Sequence, residues 1–317
     1  MAVRLGVVRA GERRARDIAA HSRTALDRPL GHAAELWVAL ASEEAVLIGA
    51  FQRGFGMPAD PPLVRRGSGG PEVLLGPGSV HVALALAHPA ALVACDEKRI
   101  VNRYVRPLLR ALARTGTLAH FFGRDWISAA HHPVGWVGFA HDATTHRTLL
   151  EAFVGVHTPF ALTDRPSFLG KSASTLDAVR ERPLEPGHAL RLAGAIVDAY
   201  IERAGGDASD LAASPPPSDA PLDDPRADPP WAATCEEAIG TLGAGPDARG
   251  VFRVGGDLLV SRDALARLEA RLHDAPGDDL SRIVDETLAA PGVALDGVRS
   301  LASVRDVIAR ARSASRA

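Results

Sequence analysis

The sequence predicts an α+β fold in two parts, and three observations carry that reading. Strand-like and helix-like segments mix through residues 1–204 without a regular β–α alternation, which disfavours a doubly wound parallel sheet. The stretch GGDASDLAASPPPSDAPLDDPRADPP, 205–230, has almost nothing to bury and reads as an extended, mobile linker. Residues 231–317 then read as a small α/β module. The expected organisation is a domain over 1–204, a linker over 205–230 and a second domain over 231–317.

The elements follow in order. ELWVAL and AVLIGAFQ read as strands separated by the turn-like ASEE. A glycine-rich loop comes next, and SVHVALAL is a further strand. From Glu97 to Thr115 the pattern turns helical, with Ile100, Val101, Tyr104, Val105, Leu108, Leu109 and Leu112 recurring at three and four. Pro107 should kink that helix or mark its start, and Gly116 should stop it. Strands return in LAHFFGRDWISAA, GWVGFAHD and TLLEAFVGV, and an amphipathic helix runs through Leu190, Ala193, Val197 and Ile201. In the small module, VFRVGGDLLV is a strand and Ser261 an N-cap for the helix bearing Leu265, Leu268 and Leu272. Two more helical patterns follow, through Leu280, Ile283, Val284 and Leu288, then Val304, Val307 and Ile308.

The chain's 317 residues, 46% hydrophobic and 23% charged, suffice to bury a substantial core. A formal net charge of -2 argues against a general nucleic-acid or membrane-surface binder. Cys95 and Cys235 form no metal or redox motif, and a reducing cytosol suits them. The opening MAVRLGVVRAGERRARD turns charged too early for a signal peptide. The apolar run SVHVALALAHPAALVAC is broken by His81, His88 and Pro89 and is too short to span a bilayer. The expected location is the cytoplasm, with no membrane or nucleic-acid partner.

The loop LVRRGSGGPEVLLGPGSV, 63–80, is the most distinctive stretch. Side-chain-free N–H groups converge readily on a phosphate or carboxylate, and Arg65 and Arg66 would add charge and bidentate bonds. A plain turn between strands is the alternative. GKS at 170–172 is not a P-loop, because Arg165 stands where a glycine is required. Nor is RRGSGG a nucleophile elbow, since Arg66 precedes Ser68 by two. His120, His131, His132, His141, His146 and His157 cluster in sequence without an H-E-x-x-H spacing, and no metal site is expected. Lys98 and Lys171 are the only lysines; Lys98 reads as solvated, while Lys171 in SFLGKSASTL could reach a phosphate or carbonyl.

VRRGSGGPEVLLGPGSV is similar to the R-R-x-S-G-G-G element of the lipoate–protein ligases, within the biotinyl/lipoyl transferase superfamily, with Arg65, Arg66, Ser68, Gly69, Gly70 and Gly78 matching. GRDWISAAHHPVGWVGFAHDATTHRTLL resembles the same family from its G-R-N-D element through K-I-x-G-x-A to H-G-T-L-L. Gly123, Arg124, Asp125, Gly138, Ala140, His146, Thr148, Leu149 and Leu150 match there. More weakly, GVFRVGGDLLVSRDALARLEARL resembles the family's accessory domain. The resemblance implies a mixed sheet with flanking helices plus a small α/β accessory domain. It implies an acyl-adenylate made from ATP, with Mg2+, and lipoate or octanoate, then passed to a carrier lysine. The partner implied is an apo lipoyl-carrier domain of a 2-oxoacid dehydrogenase or glycine cleavage protein. Arg65, Arg66, Ser68, Gly69, Gly70, Gly78, Gly138, His146 and Thr148 would then hold the adenylate.

The sequence also departs from that pattern. Pro71 replaces the third glycine, Leu75 stands where the family has an aromatic residue or histidine, and Gly135 falls where the family has its lysine. Neither cysteine falls where related octanoyltransferases carry theirs. Arg147, in place of a glycine, and Lys171 are the candidate catalytic cations to replace the lysine. Three readings stand at this point: an acyl–protein ligase, a catalytically degenerate acyl-ligand-binding relative acting as sensor or ligase partner, and a structural module with no ligand.

Overall fold

The computed structural model describes residues 4–180, 183–213, 224–274 and 279–314. The larger part runs β1 (Leu5–Arg13), α1 (Ala15–Thr24), β2 (Ala34–Ala41), β3 (Ala45–Ile48), β4 (Leu63–Arg65), β5 (Val73–Leu75) and β6 (Val80–Leu86). It continues with α2 (Ile100–Arg114), β7 (Ala119–Phe121), β8 (Trp126–Ala129), β9 (His132–His141), β10 (Thr148–Val154), α3 (His188–Arg203) and β11 (Ala208–Asp210). The smaller part comprises β12 (Ala233–Glu236), β13 (Thr241–Pro246), β14 (Phe252–Gly256), β15 (Leu259–Val260), α4 (Arg262–Asp274), α5 (Leu280–Leu288), β16 (Leu295–Asp296) and α6 (Leu301–Ala314).

An eight-stranded sheet, ordered β11-β1-β2-β6-β10-β9-β8-β7, is the frame. It is mixed: β1 pairs parallel with β11 and β2, and the remaining ladders are antiparallel. Every residue of β6 and β10 is buried, as a sheet covered on both faces requires. That explains why these strands read as continuous apolar runs rather than as alternations. Helices α2 and α3 pack on each other and on this sheet, while α1 packs on β2 and on the small sheet β4-β3-β5. The mixed α+β class is therefore the observed one.

Several expectations need correction. Helix α2 begins at Ile100, so Pro107, buried inside it, does not mark its start, while Gly116, at φ +85°, follows its end as expected. In α3 the buried residues are His188, Leu192, Ile196, Val197, Ala199 and Tyr200, whereas Leu190 is 66% exposed. Val197 is buried and Ala193 and Ile201 pack against the core as expected, so only Leu190 departs from the expected stripe. LAHFFGRDWISAA is two strands, β7 and β8, because Gly123 at φ +73° turns the chain between them. VFRVGGDLLV likewise divides into β14 and β15, with Gly256 at φ +108° at the break. Ser261 does not cap α4 with its hydroxyl, which bonds instead to the Ala294 backbone at 2.9 Å. Strand β1 and helix α1 had no counterpart in the sequence reading.

The 205–230 stretch is built into the fold at both ends. Ala208–Asp210 extends the large sheet beside Leu5–Val7, and a 3-10 turn at Pro225–Ala227 accepts the Gly54 N–H at 2.9 Å. Its middle, 214–223, lies outside the described residues. Among the described residues, no helix is long and apolar enough to cross a membrane.

Candidate functional site

The glycine loop leaves β4 and is buried at once. Arg66 is fully buried, and its guanidinium is consumed inside the protein. Its Nε donates to Ser68 Oγ at 3.0 Å, NH1 to the Leu47 carbonyl at 2.8 Å, and NH2 to the Gly69 and Pro71 carbonyls at 2.6 and 2.8 Å. The same guanidinium lies 4.1 Å from the centre of the Trp136 ring. Burial brings its pKa down to about 10, so it stays charged at neutral pH. Its neighbour Ser68 hydrogen-bonds Glu151, which also accepts from Ser22 at 2.8 Å and meets His81 Nε2 at 2.7 Å. Burial pushes Glu151 up, but His81, Arg66 and Ser68 outweigh it and hold the carboxyl below its usual range.

The loop's own N–H groups are engaged too. Gly67 donates to Ser22 Oγ at 2.8 Å, Gly69 to the Phe139 carbonyl at 3.3 Å and Gly70 to the Leu258 carbonyl at 2.8 Å. A Cβ on Gly69 would lie 2.1 Å from that same Leu258 oxygen, which is why only glycine fits beneath the C-terminal module. Arg65 points away, holding Asp228 at 2.9 Å and the Gln52 carbonyl.

The other residues named from sequence scatter. Gly78 makes a tight turn at φ +81°, its N–H on the Ala41 carbonyl at 2.8 Å. Gly138 leaves room for Trp136, whose ring a Cβ there would meet at 2.4 Å. Arg147 closes the end of α1, donating to the Leu26 and Arg28 carbonyls at 3.2 and 3.1 Å. Lys171 stands 5.5 Å from the Trp126 ring. Thr148 bonds His141 Nδ1 at 2.9 Å, and His146 sits exposed in the β9–β10 turn at φ +59°. The loop residues thus gather in one place, while Arg147 and Lys171 lie on separate elements. Gly135 has no room for a lysine, since a Cβ there would stand 2.6 Å from the Phe153 carbonyl.

Between the large sheet and the C-terminal module lies a cavity of about 650 Å³. Gly123, Arg124 and Asp125 line it, with Glu97 and Lys98 before α2, Phe139, Leu259 and the 288–293 turn. Asp125 is 1% exposed, and neither of its oxygens accepts a hydrogen bond of ordinary geometry among the described residues. Burial raises its pKa to about 6 despite the nearby Arg165. Arg165, from the loop after β10, is also buried, with NH1 3.8 Å from Asp125 and NH2 3.5 Å from Glu72. Its Nε and NH1, like the Trp136 indole nitrogen, have no hydrogen-bond partner among the described residues. Buried charged donors are costly to leave unmet. Arg165 has no role legible in the sequence, because it belongs to no motif and reaches Asp125 only through the fold.

Asp125 offers a hard cation an oxygen pair at the cavity wall, whereas Arg165 and Trp136 are buried and are not among the residues lining it. For a nucleotide with magnesium the residues therefore fit in part, since the loop's N–H groups are already bonded to Ser22, Phe139 and Leu258.

No protein-family model matches the sequence, and no curated protein matches it either. Solved structures do. P. falciparum LipL1, crystallised with lipoate, superposes with a TM-score of 0.62 at 13% identity, over 95% of this chain and 98% of that one. The bipartite lipoate protein ligase of Thermoplasma acidophilum, described with its E2 lipoyl domain, gives 0.52 at 13% identity over 67% and 88%. A lipoate-protein ligase A bound with ATP gives 0.50 at 14% identity over 68% and 90%. The chain has the fold of the lipoate–protein ligases, across both its sheet domain and its C-terminal module.

Proposed function

We propose that this protein is an acyltransferase of the lipoate-ligase kind, which activates lipoate or octanoate and passes the acyl group to a lysine of a lipoyl-carrier domain. The observation that carries this reading is Arg165: a buried guanidinium whose Nε and NH1 have no hydrogen-bond partner among the described residues, 3.8 Å from Asp125, which lines the cavity although Arg165 itself does not. It supplies the fixed cation that a developing acyl phosphate needs, in place of the lysine for which Gly135 has no room. ATP, as second substrate, would supply the adenylyl group: the carboxylate oxygen would attack the α-phosphorus, the α–β phosphoanhydride bond would break, and pyrophosphate would leave as the mixed anhydride forms. The carrier amine then attacks the acyl carbonyl, forming the amide and releasing AMP. Asp125 would hold the magnesium of the nucleotide, and the cavity would keep the acyl chain from water. In this structure the C-terminal module covers the glycine loop, so the loop serves a phosphate only once Leu258 withdraws. The T. acidophilum ligase, described with its lipoyl domain, supports a carrier domain as partner.

A second reading, a binding protein without turnover, is favoured by Gly135 itself and by the internal engagement of Arg66. Calorimetry with a non-hydrolysable octanoyl-adenylate analogue tests the cation assignment. Arg165→Ala should weaken binding at least tenfold with the fold retained, and an unchanged affinity would remove Arg165 from the site.

A further inference from the structure

Two histidines from the middle of the sequence, spread over different segments, meet a carboxylate at the rim of the cavity. Glu97 stands in the 3-10 turn before α2, His141 ends β9 and His146 sits in the β9–β10 turn. One ligand atom from each lies within 4.8 Å of the others. Atoms held about 2.1 Å from a common ion stand up to about 4 Å apart, so small side-chain rotations suffice to close the set.

We propose that Glu97, His141 and His146 form a binding site for a divalent transition-metal ion of the zinc class. Two imidazoles and one carboxylate are the donor set such ions prefer over magnesium or calcium. Both histidines come from braced segments. Thr148 Oγ1 meets His141 Nδ1 at 2.9 Å and so can hold the tautomer that frees Nε2 for the ion. Nε2 currently faces the Gly292 carbonyl at 3.1 Å, a contact the ion would replace. The turn carrying His146 is fixed by Asp142 Oδ1, which accepts from Thr145 N at 2.8 Å and Thr145 Oγ1 at 3.0 Å. Asp263 tightens it further, accepting the Ala143 N–H at 2.8 Å. Glu97 and Gly292 both line the cavity, so the ion would sit beside the space proposed for ligand. The site does not depend on acyl transfer.

The test uses the untagged full chain, stripped with a chelator and titrated with Co2+ and with Zn2+. One equivalent of Co2+ should bind with a visible absorption band that Zn2+ abolishes. His146→Ala and Glu97→Gln, both outside the core, should each weaken binding at least tenfold with unchanged circular dichroism. X-ray absorption of the zinc-loaded wild type, which needs no variant, should show two imidazole nitrogens in the shell. Absence of stoichiometric binding, or binding that both variants leave unaltered, would overturn the site.

Discussion

The Leu258 carbonyl accepts the N–H of Gly70 at 2.8 Å and stands where a Cβ on Gly69 would be, 2.1 Å away. The strand region of the C-terminal module is therefore a lid on the loop that carries the ligase-like signature. Any ligand of that loop competes with a backbone carbonyl of the same chain.

Gly69→Ala follows from this directly. The methyl group cannot share space with the Leu258 oxygen, so either the loop or the module must shift. We expect a cost of about 1–3 kcal/mol, typical of overpacking. Hydrogen exchange at 255–260 should quicken more than in β6 or β10. Exchange that rises equally in all strands would mean the contact is not the lid's anchor.

Arg66 is expected to behave as a structural residue. Removing its side chain strands the Leu47, Gly69 and Pro71 carbonyls and deprives Glu151 of a buried counter-charge. Arg66→Ala should cost about 3–5 kcal/mol in urea unfolding. Arg66→Lys should recover little, because one ammonium cannot reproduce a planar fork. A stable Arg66→Ala protein that had lost only ligand affinity would place the guanidinium in the site instead.

Asp125 gives a pH signature with a definite sign. Its pKa rises from 3.8 to about 6 on folding, chiefly through burial. Between those values the folded state holds more proton than the unfolded chain, so this group's contribution to stability falls as pH rises and levels off above about 6. Asp125→Asn does not titrate. The variant's stability relative to wild type should therefore increase from pH 4 to pH 7.5, by up to about 3 kcal/mol. An equal difference at both pH values in urea denaturation would contradict a buried, proton-binding Asp125.

Restoring the family lysine should fail. Gly135→Lys places a side chain against the Phe153 carbonyl in the β9–β10 ladder, and we expect a lower melting temperature with no gain in acyl transfer. A gain in activity would show that the ladder yields and that Arg165 does not fill the role.

How much of this was legible follows from where the signals lie. The mixed sheet was readable because β6, β9 and β10 are long, apolar and punctuated by glycines. The loop at 65–70 was readable as a special backbone, but its direction was not: nothing in RRGSGG says that Arg66 turns inward toward Trp136 and Leu47. The glycines there serve close approach of Leu258 and Trp136, a constraint set by residues far away in sequence. Arg165 and Glu97 were silent for the same reason, since each gains its neighbours only when distant strands pair. The pairing of Ala208–Asp210 within the 205–230 stretch was not legible in its composition, because three residues of backbone pairing need no apolar side chains.

Intact-mass analysis of an apo lipoyl-carrier domain, incubated with this protein, ATP, magnesium and either lipoate or octanoate, bears hardest on the proposed function. The expected result is a mass gain of one acyl group, abolished by Arg165→Ala. No gain from wild type, with a known ligase active in the same mixture, would contradict acyl transfer and leave a protein that binds its ligand without turning it over.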